Sequence, residues 1–137
     1  MIAFHGTADE SVPYHGGLSP SALASTRFAR NARQFPSVPG WAANWAQRNQ
    51  CATNPVESAV APDVGRLEYT RCADDAAVVL YTIRGGGHTW PGGAPLPEGM
   101  VGPTSRTIDA TSRMWAFFRE HPLRVAPRRS DARAARP

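Results

Sequence analysis

The chain has no lysine at all; its fifteen basic residues are all arginine. Beside heavy use of alanine and thirteen prolines, that absence reads as coding bias and carries no functional signal. Only two cysteines occur, Cys51 and Cys72, and neither belongs to a Cys-x-x-Cys pair. Two thiols cannot build a structural zinc site without histidine partners, and no H-E-x-x-H or H-x-H spacing supplies them. No metal or other cofactor is therefore expected. No apolar run is long enough to cross a membrane as a helix. The chain also lacks G-x-S-x-G, the sharp turn that lifts a nucleophilic serine off a strand. Its nearest approach, Gly17-Leu18-Ser19-Pro20-Ser21, has no final glycine and places proline directly after the serine. Ser19 reads instead as a helix-entry residue.

What is present bounds the class. A length of 137 residues allows one domain at most, and 42% apolar content is ordinary for a globular protein. The net charge of +4 is concentrated at one end. Residues 123–137 hold Arg124, Arg128, Arg129, Arg133 and Arg136 against a single acid, Asp131. The ten arginines and ten acids before them cancel. With a neutral body, no basic helix face and no stacking motif, nucleic acid is not an expected partner, and neither is a membrane. Residues 1–122 are expected to fold, and residues 123–137, rich in Arg, Ala and Pro, to form a disordered tail.

Two glycine-bearing turns follow apolar runs. Ile2 to Phe4 leads into His5-Gly6-Thr7-Ala8-Asp9, and Ala76 to Ile83 leads into Gly86-Gly87-His88-Thr89-Trp90-Pro91-Gly92. A polar residue on a tight turn at the end of a buried strand is held rigidly and exposed, as chemistry requires. Asp first and His second are the last two members of a Ser…Asp…His chain order. The stretches FHGTADESVPYHGG (Phe4 to Gly17), LYTIRGGGHTWPGG (Leu80 to Gly93) and IDATSRMWAFFREHP (Ile108 to Pro122) resemble the C-terminal part of the secreted polyhydroxybutyrate depolymerase and feruloyl esterase-like α/β-hydrolases. The GGGHTWPGG block is specific; HGTAD-x-x-VPY is shared more widely, and the order and separation of the two strengthen the match.

The resemblance implies the C-terminal portion of a doubly wound α/β sheet, incomplete, because such enzymes need roughly twice this length. It implies a serine carboxylesterase whose nucleophile lies outside the chain, so that the 137 residues alone are inactive and the missing N-terminal half of the domain is a partner. It also implies an ester substrate, either a polyester or a plant polysaccharide ester, and an extracellular location. A leader peptide would have been lost with the missing half. His88 is the candidate general base and Asp9 the carboxylate that orients it, with Glu10 and Asp109 as rival acids. Trp90 is a candidate substrate contact. Cys51 and Cys72 read as a disulfide, since no metal or thiol-nucleophile motif surrounds them, and the resembled family often has a bridge in this region. The alternative is a non-catalytic remnant that binds ester or glycan through Trp41, Trp45 and Trp90.

Along the chain, the spacing predicts a helix over residues 21–35 with Leu23 and Phe28 as anchors. Pro36 and Pro39-Gly40 then read as a break, and Trp41 to Asn49 as a short helix with Trp41 and Trp45 on one face. Arg66 to Cys72 alternates like a half-exposed strand, and Ala76 to Ile83 reads as the central strand. A long Pro/Gly loop from Gly92 to Gly102 is placed to shape a site rim. The last helix is predicted to begin near Pro103-Thr104-Ser105 and to cover the sheet with Ile108, Met114, Trp115 and Phe118. His5 and His15 are taken as loop-bracing or loop residues and His121 as a helix terminator.

Overall fold

The computed structural model describes residues 1–24 and 34–122. One four-stranded mixed sheet organises them, in the order β1 (Ile2–Gly6), β6 (Val78–Ile83), β5 (Val64–Tyr69) and β4 (Val56–Ala61). β1 and β6 run parallel, with Ile2 opposite Val79 and Gly6 opposite Ile83. The β4–β5 and β5–β6 pairings are antiparallel, with an irregularity in β4 between Ala59 and Ala61. A second, two-residue ladder joins β2 (Gly17–Leu18) to β3 (Gln34–Phe35). The prediction of one helix over residues 21–35 fails at its end, where Gln34–Phe35 is a strand. α1 occupies only Pro20–Leu23, and residues 25–33 lie outside the described part.

β6 is the centre of the molecule. Its run Val78-Val79-Leu80-Tyr81 and Ile83 are all buried, so both faces of the strand are covered. Strand side chains alternate, and here they feed two cores. Val78 and Leu80 pack with Val38, Ala42 and Ala46 of α2 (Val38–Arg48) on one side. Val79, Tyr81 and Ile83 pack with Val64 and Ile108 on the other, with Phe117 of α4 (Ala110–Glu120) laid against them. The result is helix, sheet, helix.

α2 starts earlier than the proline pattern predicts. Ser37 caps it by accepting from the Gly40 amide at 3.2 Å, and Pro39 falls in the first turn, where its missing N–H costs nothing. A Pro-Gly pair reads as a breaker only while its place relative to a cap is unknown. α4 is displaced the other way. It begins at Ala110 after an Asp109 cap whose carboxylate accepts from the Ser112 amide at 2.8 Å. With that start, Ala110, Met114 and Phe117 face the sheet at helical spacing. Trp115 and Phe118, expected inside, are turned out and stand 62% and 47% exposed.

Cys51 and Cys72 form a disulfide, linking the chain just after α2 to the chain just after β5. A closed loop of this size stabilises the fold by about 3 kcal/mol on the chain-entropy argument. A second tie lies across the sheet. Asp63, in the β4–β5 turn, accepts hydrogen bonds from the hydroxyls of Thr107 and Ser105, the latter at 2.7 Å. Those bonds, Thr107's first, hold the Asp63 carboxyl below the ordinary carboxylate range. The clasp fixes the segment that leads into α4.

Candidate active site

The parallel pairing of β1 with β6 brings their C-terminal ends together, and each strand runs straight into one of the glycine turns. The close approach explains two of the glycines. A Cβ on Gly6 would run into the carbonyl oxygen of Gly86, and one on Gly87 into that of Val101. The Ala8 amide then donates to the Gly86 carbonyl at 2.9 Å, locking the two turns edge to edge. The His88 amide donates to the Val101 carbonyl at 2.6 Å, and that of Gly87 to Pro103 at 2.9 Å. His88 is therefore gripped from β1 and from the short helix α3 (Glu98–Val101) at once.

Asp9 and His88 meet on this support. His88 Nδ1 donates to Asp9 Oδ2 at 2.8 Å across 79 residues of sequence. Asp9 is 7% exposed, and its other oxygen, Oδ1, accepts the amides of Ser11 and Val12, both at 2.8 Å. That local loop holds the carboxylate still. His5 adds a third restraint, donating from Nε2 to the Val12 carbonyl at 2.9 Å and lying 3.4 Å from Asp9 Oδ2. With Nδ1–H engaged by Asp9, the neutral imidazole carries its lone pair on Nε2. The His88 side chain is 53% exposed, and Nε2 makes no hydrogen bond among the described residues. The pair is thus a buried acid, an oriented ring and a free basic nitrogen facing outward.

The rival acids are elsewhere. Asp109 is occupied capping α4, and Glu10 is exposed and forms no hydrogen bond or ion pair with His88 among the described residues. Ser19 is buried; its hydroxyl donates to the Glu10 carbonyl at 3.0 Å and pairs with that of Ser21 at 2.9 Å, immediately before α1. The remaining histidines take local roles. His15 packs edge-on against Tyr14, and His121 caps α4 and contacts the Asp75 carbonyl. No three His, Cys, Asp or Glu side chains converge as metal ligands among the described residues.

Two depressions flank the ring. One, of about 300 Å³, is lined by Phe4, Trp90 and Leu96 beside Asp9 and His88. The other, of about 350 Å³, lies between Glu10, Ser11 and α3. Trp90 is held by its indole N–H, which donates to Thr111 at 2.9 Å, and by edge contact with Phe4, yet stays 45% exposed over the first depression. Trp41 and Trp45 stay in edge-to-face contact on α2, with ring centroids 6.4 Å apart, but reach different neighbours. Trp45 is half-buried against the α2 core, whereas Trp41 stands beside β1. His5 braces the Asp9 turn by a hydrogen bond to Val12, as expected of it, but its approach to Asp9 Oδ2 and the support of the His88 backbone by α3 were not anticipated from the sequence. The short spacing of His5 and Asp9 was the available signal for the first; nothing in Glu98–Val101 announced the second.

The chain matches no family model, no curated protein and no solved structure.

Proposed function

We propose that the protein is part of a secreted carboxylic-ester hydrolase of the α/β-hydrolase type, with His88 as general base and Asp9 as its orienting acid. The observation that carries this reading is the 2.8 Å contact between Asp9 and His88 Nδ1 at the ends of adjacent parallel strands. Nε2 is left open to a reacting hydroxyl. In the reaction, a serine from polypeptide outside these 137 residues attacks the ester carbonyl while Nε2 accepts its proton. The alcohol departs with that proton and leaves an acyl-enzyme. Water then attacks, again deprotonated by His88, and the acid is released as the serine recovers its proton.

The unpaired side of β1 supports the same reading. The Val79 amide donates to the Met1 carbonyl at 2.8 Å and the Thr7 amide to Ile83 at 2.9 Å, so alternate residues from Met1 to Thr7 face β6. The backbone groups of Ile2 and Phe4 face the other way, into a groove of about 470 Å³ walled by Trp41, Trp90 and Met114. That groove has the shape and the apolar walls to receive a further strand, which would complete the sheet. The disulfide is compatible with an extracellular setting. The ester is a polyester or a polysaccharide ester, with Trp90 against the acyl or sugar face.

An organophosphonate serine probe tests the assignment. On the isolated 137 residues we expect no stoichiometric labelling and no burst of acylation, while a polypeptide that also carries a G-x-S-x-G segment before Met1 is labelled there. Labelling of Ser19 in the isolated chain would overturn the reading. So would a longer polypeptide that is labelled equally well when His88 is replaced by alanine. A non-catalytic module would bind ester or glycan through Trp90 and Trp41 and show no labelling in either form.

A further inference from the structure

Asp9 Oδ2 has two imidazole neighbours. His88 Nδ1 lies 2.8 Å away and His5 Nε2 3.4 Å away, so both rings approach the same oxygen. The other oxygen, Oδ1, is held by the amides of Ser11 and Val12, which belong to the Asp9 turn itself. Two bonds to one oxygen leave the carboxylate plane free to turn about that oxygen, so they do not aim Oδ2. His88 is a poor anchor for it, with a side chain 53% exposed, whereas that of His5 is 17% exposed. His5 also stands on firmer backbone, inside β1 and paired with Thr82 of β6.

Val12 closes the arrangement. Its amide donates to Asp9 Oδ1 at 2.8 Å, and its carbonyl faces His5 Nε2 at 2.9 Å. A carbonyl oxygen only accepts, so His5 Nε2 carries a proton. That one N–H sits between the Val12 oxygen and Asp9 Oδ2. A buried carboxylate needs donors about both oxygens, and this donor reaches Oδ2 from a strand rather than from the turn. We propose that His5 is a positioning residue for the Asp9–His88 pair: its Nε2–H fixes the plane of the Asp9 carboxylate so that Oδ2 meets His88 Nδ1. In their neutral forms the two histidines then hold opposite tautomers, Nε2–H on His5 and Nδ1–H on His88. The far end of the loop is anchored by other groups. The Tyr14 hydroxyl pairs with that of Thr82 at 2.8 Å, and the Val38 amide donates to the Tyr14 carbonyl at 2.9 Å. Loss of the His5 donor therefore disturbs the carboxylate and spares the fold. The placement of Asp9 stands on these contacts alone; its effect on turnover rests on the esterase reading above.

The test is long-range proton–nitrogen correlation spectroscopy of the full 137-residue chain, isotope-labelled in its histidines. It is run at about pH 8.5, above the usual imidazole range. We expect Nε2–H on His5 and Nδ1–H on His88. Two variants separate the donor from the ring. In His5→Gln the side-chain amide nitrogen reaches the place of Nε2, while in His5→Asn it falls short. The ratio of Nδ1–H to Nε2–H tautomer at His88 should fall about tenfold in His5→Asn and recover to within about twofold in His5→Gln, the scale of one hydrogen bond. Hydrogen exchange of the β6 amides should be equal in the unaltered chain and both variants, which shows an intact sheet. In a polypeptide that includes the nucleophile segment, His5→Asn should lower kcat about tenfold with KM unchanged, and His5→Gln should restore it. An Nδ1–H tautomer at His5 in the unaltered chain would overturn the inference, and that measurement needs no variant to fold. So would a His88 tautomer ratio left unchanged by His5→Asn, or a loss in His5→Gln as large as in His5→Asn. The esterase reading fails separately, since a longer polypeptide without activity leaves the tautomers of His5 and His88 as they are.

Discussion

The two edges of the sheet are opposites. β4 is finished: its first four residues are exposed, it carries Glu57, and its pairing is interrupted before Ala61. Charge and irregularity on an edge strand are the usual means of refusing another strand. β1 has none of these protections. It is apolar, regularly paired on its inner side, and bordered by Trp41, Trp90 and Met114 on the outer side. The same edge strand leads into Asp9, the buried half of the candidate site. The edge left without these protections is therefore also the edge that leads into the candidate site, whereas the β4 edge closes the sheet.

The comparison breaks most visibly in catalysis. In a polypeptide that includes the nucleophile segment, His88→Ala should lower kcat by about 10⁴-fold, with Asp9→Asn close to it, because the ring then loses its base or its orientation. Ser58→Lys on the β4 edge should leave the rate unchanged. Steady-state hydrolysis of a soluble aryl ester measures all three, and an active His88→Ala enzyme would sink the role of the β1 end.

The next effect is in stability. Replacing Cys51 and Cys72 together by serine should cost about 3 kcal/mol in denaturant unfolding, since the bridge closes the loop that contains the whole β4–β5 hairpin. Unaltered unfolding in the double variant would mean the hairpin needs no covalent support. Self-association comes third. In the isolated chain, Ile2→Pro removes an outward N–H without touching the β6 ladder, and should weaken association about tenfold. Ser58→Pro should not change it. Sedimentation velocity reads the difference, and equal behaviour would make the two edges equivalent.

The smallest effect concerns the Asp63 clasp. Asp63→Asn should cost about 1 kcal/mol or less, as the group is close to solvent. Because the folded carboxyl lies below its ordinary value, its contribution is complete above about pH 4 and fades as pH falls through the lowered value. Thermal melts at neutral and acidic pH should therefore converge for the two proteins in acid, and a constant gap between them would contradict this.

The site was more legible than the fold around it. Asp9 and His88 stood at the ends of apolar runs bounded by glycines, so their placement on tight turns could be read directly, although only His88 is exposed and Asp9 is buried, and the disulfide was also readable. β4 was not. Val56-Glu57-Ser58-Ala59 has no strong alternation because its outer face looks to water, so nothing but its partner β5 makes it a strand. Trp115 and Phe118 misled for a different reason. Large aromatic residues suggest a buried face, but on the helix Trp115 lies about 100° from Met114, and Phe118 about 100° from Phe117.

What the sequence determined by itself is local: where apolar strands end, which turns need glycine, which residues can cap a helix, and where the charge gathers. Each of these depends on neighbours a few positions away, and short-range sterics and hydrogen bonds settle them. Only the tertiary structure decided that β1 and β6 lie side by side in parallel, that His88 turns its Nδ1 to Asp9 rather than to Asp109, and that one edge stays open while the other is closed. Those outcomes depend on contacts across as many as 79 residues, and burial of Val78 to Ile83 between two helix layers is what brings the distant turns together.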